Sequence, residues 1–255
     1  MVDIKIHAEK QIERENLPRG VAKKSFDKEG WKPKTELGMK VKSGEIKSMG
    51  DVMSSGRKIL ESEIVDALLG DIESEFIKIG QSKGKFGGGK RSIWRQTQKK
   101  TKEGNKPSFA TLAVCGDGNG YVGIGLGKAK ETVPAREKAT RKAKLNIIKI
   151  KRGCGAWECG CGKAHSIPFT VDGKCSSALF KLMPAPKGTK LCTEREAQKI
   201  LRFAGIKDVY GKARGQTRTK LNVMYACFDA LKQLTKVKTK ERHVVQLGIV
   251  GGRNE

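Results

Sequence analysis

The chain has 255 residues, 53 Lys and Arg against 27 Asp and Glu, and a formal net charge of +26. That length suits one or two domains with real cores. Only 37% of residues are hydrophobic, and no run approaches the ~20 apolar residues of a spanning helix, so a membrane protein is not expected.

Met1 to about Leu60 reads as an extension, rich in Lys and Glu and punctuated by glycine and proline without a sustained apolar period. Such a segment is expected to be flexible or held by partners. Glu61–Leu69 predicts a short helix, with Ile64, Val65, Leu68 and Leu69 on one face and Gly70 as its stop. Phe76–Ile79 predicts a strand, followed by a basic loop carrying Lys83, Lys85, Lys90 and Arg91 around Gly87–Gly89. Arg95 to Lys106 reads as a second basic loop. Phe109–Cys115 and Tyr121–Leu126 predict a hairpin closed by Asn119-Gly120.

A helix follows from about Pro134 to Asn146, its narrow small face being Ala135, Ala139 and Ala143, and Ile147–Ile150 predicts a strand. Ser166–Val171 and Ser177–Met183 predict strands around an Asp172-Gly173 turn. Thr193-Glu194-Arg195-Glu196 has the pattern of a capping box opening a helix that Gly205 ends. Val209-Tyr210 predicts a short strand, Lys212–Lys220 a basic loop, and Met224–Leu234 an amphipathic helix. The expected fold class is α+β: an extension over 1–60, a first domain over 61–150, a connector over 151–165, a β-α domain over 166–235 and a loose polar tail over 236–255.

Charge is distributed unevenly. Residues 1–80 hold 15 basic and 15 acidic groups, whereas residues 81–255 hold 38 and 12. A folded body with that excess repels itself unless a polyanion neutralises it, and nucleic acid is the natural one. The basic loop, the cationic helix over Arg136–Lys144, and Lys212–Lys220 are the expected phosphate contacts. With Lys83, Lys85, Lys90 and Arg91, the candidate RNA-binding residues are Arg95, Lys128, Arg136, Arg141, Lys142, Lys212, Arg214 and Arg218. Trp94 and Phe86 are candidates to stack on bases or to fill a core.

Gly118, Gly120 and Gly123 meet a dinucleotide-binding spacing, but a strand rather than a helix follows them. Gly127-Lys128 lacks the first glycine and the hydroxyl of a phosphate loop. No nucleotide cofactor is expected, and the glycines read as a close-packed hairpin beside a helix start.

Seven cysteines in a chain whose Met1–His7 start shows no apolar signal core speak for free thiols or metal ligation. Cys154, Cys159, Cys161 and His165 are spaced C-x4-C-x-C-x3-H among glycines, which suits one zinc ion, with Cys175 as a possible substitute ligand; free thiols are the alternative. Cys115, Cys192 and Cys227 read as core. No residues form a catalytic pattern: His7 and His243 fall in terminal segments, and Asp117 reads as a turn former.

Gly116-Asp117-Gly118-Asn119-Gly120-Tyr121-Val122-Gly123-Ile124-Gly125-Leu126-Gly127-Lys128 with Val133-Pro134-Ala135 resembles the signature of the small-subunit ribosomal protein five family. Leu182-Met183-Pro184-Ala185-Pro186-Lys187-Gly188, Ala204-Gly205-Ile206-Lys207-Asp208-Val209 and Phe228-Asp229-Ala230-Leu231 extend that resemblance over about residues 72–234. The longer N-terminus, the Arg95–Lys106 insertion and the Cys/Gly connector are similar to the archaeal branch. The resemblance implies a first domain like double-stranded-RNA-binding folds and a second with a β-α fold lacking phosphate motifs. It further implies a cytoplasmic, non-catalytic rRNA-binding component near the path by which mRNA enters. Ribosomal proteins four and eight are the implied neighbours, and a part in decoding accuracy the implied role, with Gly84–Arg91 facing rRNA. The alternative reading is a free-standing double-stranded-RNA-binding or RNA-remodelling factor.

Overall fold

The computed structural model describes residues 26, 28–70, 72–81 and 91–251. The loop residues Lys83, Lys85, Phe86 and Lys90 and the residue His7 lie outside this set.

Three short helices come first: α1 (Glu36–Ser43), α2 (Met49–Ser54) and α3 (Ser62–Leu69). Thr35 and Ser48 cap α1 and α2 by accepting the Gly38 and Asp51 N–H groups. The Glu61 carboxylate accepts the N–H groups of Lys34 (2.8 Å) and Thr35 (2.6 Å), tying the start of α1 to the start of α3. Leu37, Met49 and Val52 are buried with Ile64 and Val65. Residues 36–54 therefore differ from the expected coreless extension: their sparse apolar residues converge on a surface supplied by the first sheet.

The first sheet runs β1–β3–β4–β5, with β1 (Glu73–Ile77), β3 (Gly104–Gly116), β4 (Tyr121–Ala129) and β5 (Ile147–Lys149), and β2 (Arg95–Thr101) paired to the outer half of β3. The predicted hairpin is present and longer at its open end. Its turn is held by the Asp117 carboxylate, which accepts the Asn119 and Tyr121 N–H groups at 2.8 and 3.1 Å. The sheet alternates strictly. Leu112, Val114, Val122 and Ile124 face the second domain, whereas Ala113, Cys115 and Tyr121 face the N-terminal helices.

Helix α4 (Thr132–Leu145) lies on that N-terminal side, against β4. Its Ala135, Ala139 and Ala143 are fully buried. Gly123, Gly125 and Gly127 alternate with Val122, Ile124 and Leu126 on β4, and a Cβ on any of the three would strike the helix backbone. Gly118 and Gly120 sit in the turn with φ of 71° and 109°. The dinucleotide-like spacing thus combines turn glycines with helix-seating ones.

The second sheet runs β7–β8–β10–β9, with β7 (Val171–Cys175), β8 (Ala178–Pro184), β9 (Leu191–Cys192) and β10 (Val209–Arg214). Asp172 and Gly173 lie within β7 rather than in a turn. The reversal occurs at Ser176-Ser177, where Ser176 has φ of 55°. Gly173 stays in the strand because α6 (Lys220–Lys236) approaches so closely that a Cβ there would meet Ala226 and Ala230. Helix α5 (Arg195–Phe203) begins without the expected capping box. Glu194 has the N-cap position, the Thr193 hydroxyl is buried without a partner among the described residues, and Glu196 accepts the Lys78 N–H at 3.0 Å. Tertiary contact with the first sheet outbid the local cap.

Residues 236–251 are not merely a polar tail. Helix α7 (Glu241–Leu247) leads to β11 (Val250–Gly251), which pairs with β6 (Lys151–Arg152). The predicted strand starting at Ser166 is reduced to a bridge with Gly153 before β7. One contiguous core joins both sheets across the seam, from Ile77 and Val114 to Ile200 and Leu231.

Candidate nucleic-acid interface and metal centre

Arg95–Lys106 is a hairpin ribbon, not a loop: β2 pairs with Gly104–Ala110, Lys99 standing opposite Lys106. Six of the seven β2 residues are exposed. A strand wet on both faces needs no apolar alternation, so its sequence resembles a loop. Arg95, expected from the sequence, is thereby joined by Lys99, Lys100 and Lys106, exposed cations that the sequence did not single out. Arg95, Ala110 and Lys128 form one cross-strand row, which puts both cations on the sheet face turned toward the second domain. On that side the Arg91 guanidinium approaches the Arg218 carbonyl at 3.5 Å.

The cations of α4 have different fates. Lys144 pairs with Asp66 of α3 at 2.7 Å. Arg136 stacks over Trp94 at 4.5 Å and Phe76 at 5.7 Å, so the Trp94 ring is occupied by a cation of the same chain. Lys138, Arg141 and Lys142 are exposed and have no partner among the described residues.

The loop expected from Lys212 begins instead inside β10. Tyr210, Lys212 and Arg214 alternate outward there, opposite Met183, Lys181 and Leu179 of β8. This outer face is uncovered, whereas α6 packs on the other. The predicted cations therefore fall into three groups: the first-sheet edge with Arg91, Arg95, Lys128 and Arg218; the outward face of α4; and the outer face of β10.

The connector builds a second site. Gly153 and Ser166 exchange both backbone hydrogen bonds, at 3.0 and 2.9 Å, which sets their neighbours Cys154 and His165 side by side. The loop between them folds back through Cys159 N–H to Ala156 C=O, bringing Cys159 and Cys161 over the pair. Ligand atoms of Cys154, Cys159, Cys161 and His165 all lie within 4.8 Å of one another. Cys154 and His165 are buried, while Trp157 at the loop tip is 93% exposed.

His165 Nε2 is 3.8 Å from the Cys159 sulfur, and its Nδ1 is 2.9 Å from Asp208 Oδ2. The backbone N–H groups of Lys187 and Cys161, then the Cys161 thiol and His165, hold the Cys159 thiol down at about 6. Burial, and then hydrogen bonds with Cys159 and Cys161, push Cys154 up to about 11. Three sulfurs and one imidazole within reach of one another fit a tetrahedral soft-metal site. Cys175 ends β7 and is not a member of the group. Cys115 and Cys227 are buried as expected, but Cys192 is exposed on the edge strand β9.

These sites sit on a chain with clear kinship. Residues 93–151 match the family profile for the N-terminal domain of ribosomal protein S5, and residues 173–243 that for its C-terminal domain. A small ribosomal subunit protein uS5 of Nanoarchaeum equitans is 49% identical over 83% of this chain and 91% of its own length. The chain belongs to the ribosomal protein S5 family. Proteins of the same name from Methanocaldococcus jannaschii and Methanosphaera stadtmanae are 45% and 44% identical, over 89% and 88% of this chain and 98% and 92% of theirs. As an S5-family member the chain is a structural ribosomal protein, not an enzyme. Within the matched residues 93–151, the glycines of Gly116–Lys128 have a physical explanation: they form the turn and the seat of α4.

Proposed function

We propose that this chain is a structural constituent of the small ribosomal subunit that holds small-subunit rRNA mainly through phosphate contacts. The observation that carries the reading is α4. Seated by alanines against glycines, it turns Lys138, Arg141 and Lys142 outward without partners among the described residues. Among the described residues the β2–β3 ribbon, Arg91, Lys128, Lys212, Arg214 and Arg218 supply the remaining positive surface, while Arg136 is held over Trp94; Lys83, Lys85 and Lys90 join these contacts in this reading. Such contacts position a protein on RNA by shape, with little base reading. In this reading the protein works in the cytoplasm, beside ribosomal proteins four and eight and the path by which mRNA enters, and supports decoding accuracy. The Cys154, Cys159, Cys161 and His165 cluster holds one zinc ion in a structural role, consistent with its donor set.

Sedimentation of the endogenous protein through a high-salt sucrose gradient tests the assignment. Near-stoichiometric retention in the small-subunit peak is expected; release at modest salt would favour the free-standing RNA-binding factor instead. For the interface itself, Lys138→Ala with Arg141→Ala and Lys142→Ala is expected to reduce the salt slope of rRNA binding by about 2 to 3. An unchanged slope removes α4 from the contact surface.

A further inference from the structure

The metal reading above concerns four ligands from one segment, residues 154–165. A fifth residue, 43 positions from His165, is built into the same centre. Asp208 lies in the turn between α5 and β10 and is 5% exposed. Its Oδ2 is 2.9 Å from His165 Nδ1, and its Oδ1 accepts the N–H groups of Gly188 (3.1 Å) and Lys190 (2.8 Å). The His165 carbonyl in turn accepts the N–H groups of Lys207 and Asp208, at 2.9 and 3.1 Å. The ring of His165 is therefore fixed from both its side chain and its backbone. A hydrogen on Nδ1, donated to Asp208, leaves the Nε2 lone pair directed at the sulfurs.

We propose, resting on the zinc reading, that Asp208 is the positioning residue of this metal centre, and that through it the bound ion fixes the loop 187–190 of the second domain to the connector. A carboxylate behind a ligating imidazole sets its tautomer and raises its basicity. Here the same carboxylate also carries two backbone amides of a different loop. Metal occupancy and the order of that loop are thus joined through one side chain. Neither link depends on regular secondary structure, because residues 154–165 and 187–190 contain none.

The test uses the full-length protein, stripped of metal under reducing conditions and titrated with zinc against a chromophoric chelator, then with cobalt(II) for its visible spectrum. The wild type is expected to take up one ion with a three-sulfur, one-nitrogen cobalt spectrum. Asp208→Asn, which keeps one acceptor oxygen for the loop, is expected to weaken zinc about 10- to 100-fold and displace the cobalt ligand-field bands. Asp208→Glu is expected to restore part of the affinity. In the wild type alone, zinc is expected to slow hydrogen exchange at the Gly188 and Lys190 amides. A protein that binds one zinc but shows wild-type affinity and spectrum in Asp208→Asn, or unchanged exchange at those amides, overturns the role of Asp208. A wild type that takes up neither ion overturns the zinc reading itself, and the proposal with it.

Discussion

Helices α4 and α6 both cover one face of a sheet, yet they are held by opposite means. Helix α6 buries Val223, Met224, Phe228, Leu231 and Leu234 and meets a glycine, Gly173, at only one strand position. Helix α4 buries only three alanines, over three successive inward glycines of β4. Area burial drives the first contact. Close backbone approach and dispersion serve the second, where almost no side chain intervenes. The consequence is functional: a helix seated on methyl groups leaves most of its circumference for other tasks, and in α4 that circumference is cationic. A helix seated on large apolar side chains commits far more of its surface to the core.

The contrast is open to measurement by denaturant unfolding. Phe228→Ala, a fully packed ring on α6, should cost the most, about 3 to 5 kcal/mol. Gly125→Ala adds a single methyl where the α4 backbone stands, and should cost about 3 kcal/mol, the upper end for overpacking. A silent Gly125→Ala would mean that α4 is not held by backbone contact, and the contrast would collapse.

A smaller effect concerns the helices beneath α4. Burial by itself would raise the Glu61 carboxyl, but the N–H groups of Lys34 and Thr35, with Thr35 and Trp31 side chains, outweigh it and hold the group below its ordinary value. The ionised form is therefore the one bound in the folded state. This contribution is complete above the ordinary glutamate range, about 4.3, and is lost as pH falls through the depressed value. Proteolysis of the α1–α2 segment should accelerate below about pH 4, and Glu61→Gln should remove that pH step. Smallest of all, Arg141→Gln with Lys142→Gln should change stability by less than about 0.5 kcal/mol, since both side chains face solvent. A larger loss would show that the outward face of α4 serves the fold.

Local patterns made much of this legible. The Asn119-Gly120 turn, the two strands it joins, the alanine face of α4, the stop at Gly205 and the apolar face of α6 each carry their own period or turn chemistry, and each forms where the pattern places it. That Cys154, Cys159, Cys161 and His165 would cluster was also legible, because all four lie within twelve residues. Asp208 was not: nothing in its neighbourhood distinguishes a buried second partner of a histidine from any loop carboxylate. The β2–β3 ribbon was missed because a strand exposed on both faces has no apolar alternation, and the turn at Ser176-Ser177 because a glycine required for helix approach looks like a glycine required for a turn.

The sequence by itself determined the charge excess of residues 81–255, the hairpin, the principal helices and the four soft donors, because each is a property of neighbouring residues. Tertiary structure alone decided the rest. It folded residues 36–54 onto the first sheet, drew Glu196 away from its cap to Lys78, returned α7 and β11 to the connector, and silenced Lys144 and Arg136 as free cations while sparing Arg141 and Lys142. The physical reason is the same in every case. A polar group's partner, or an apolar group's cover, is chosen by what the fold brings within a few ångströms, and that distance is not written in the spacing along the chain.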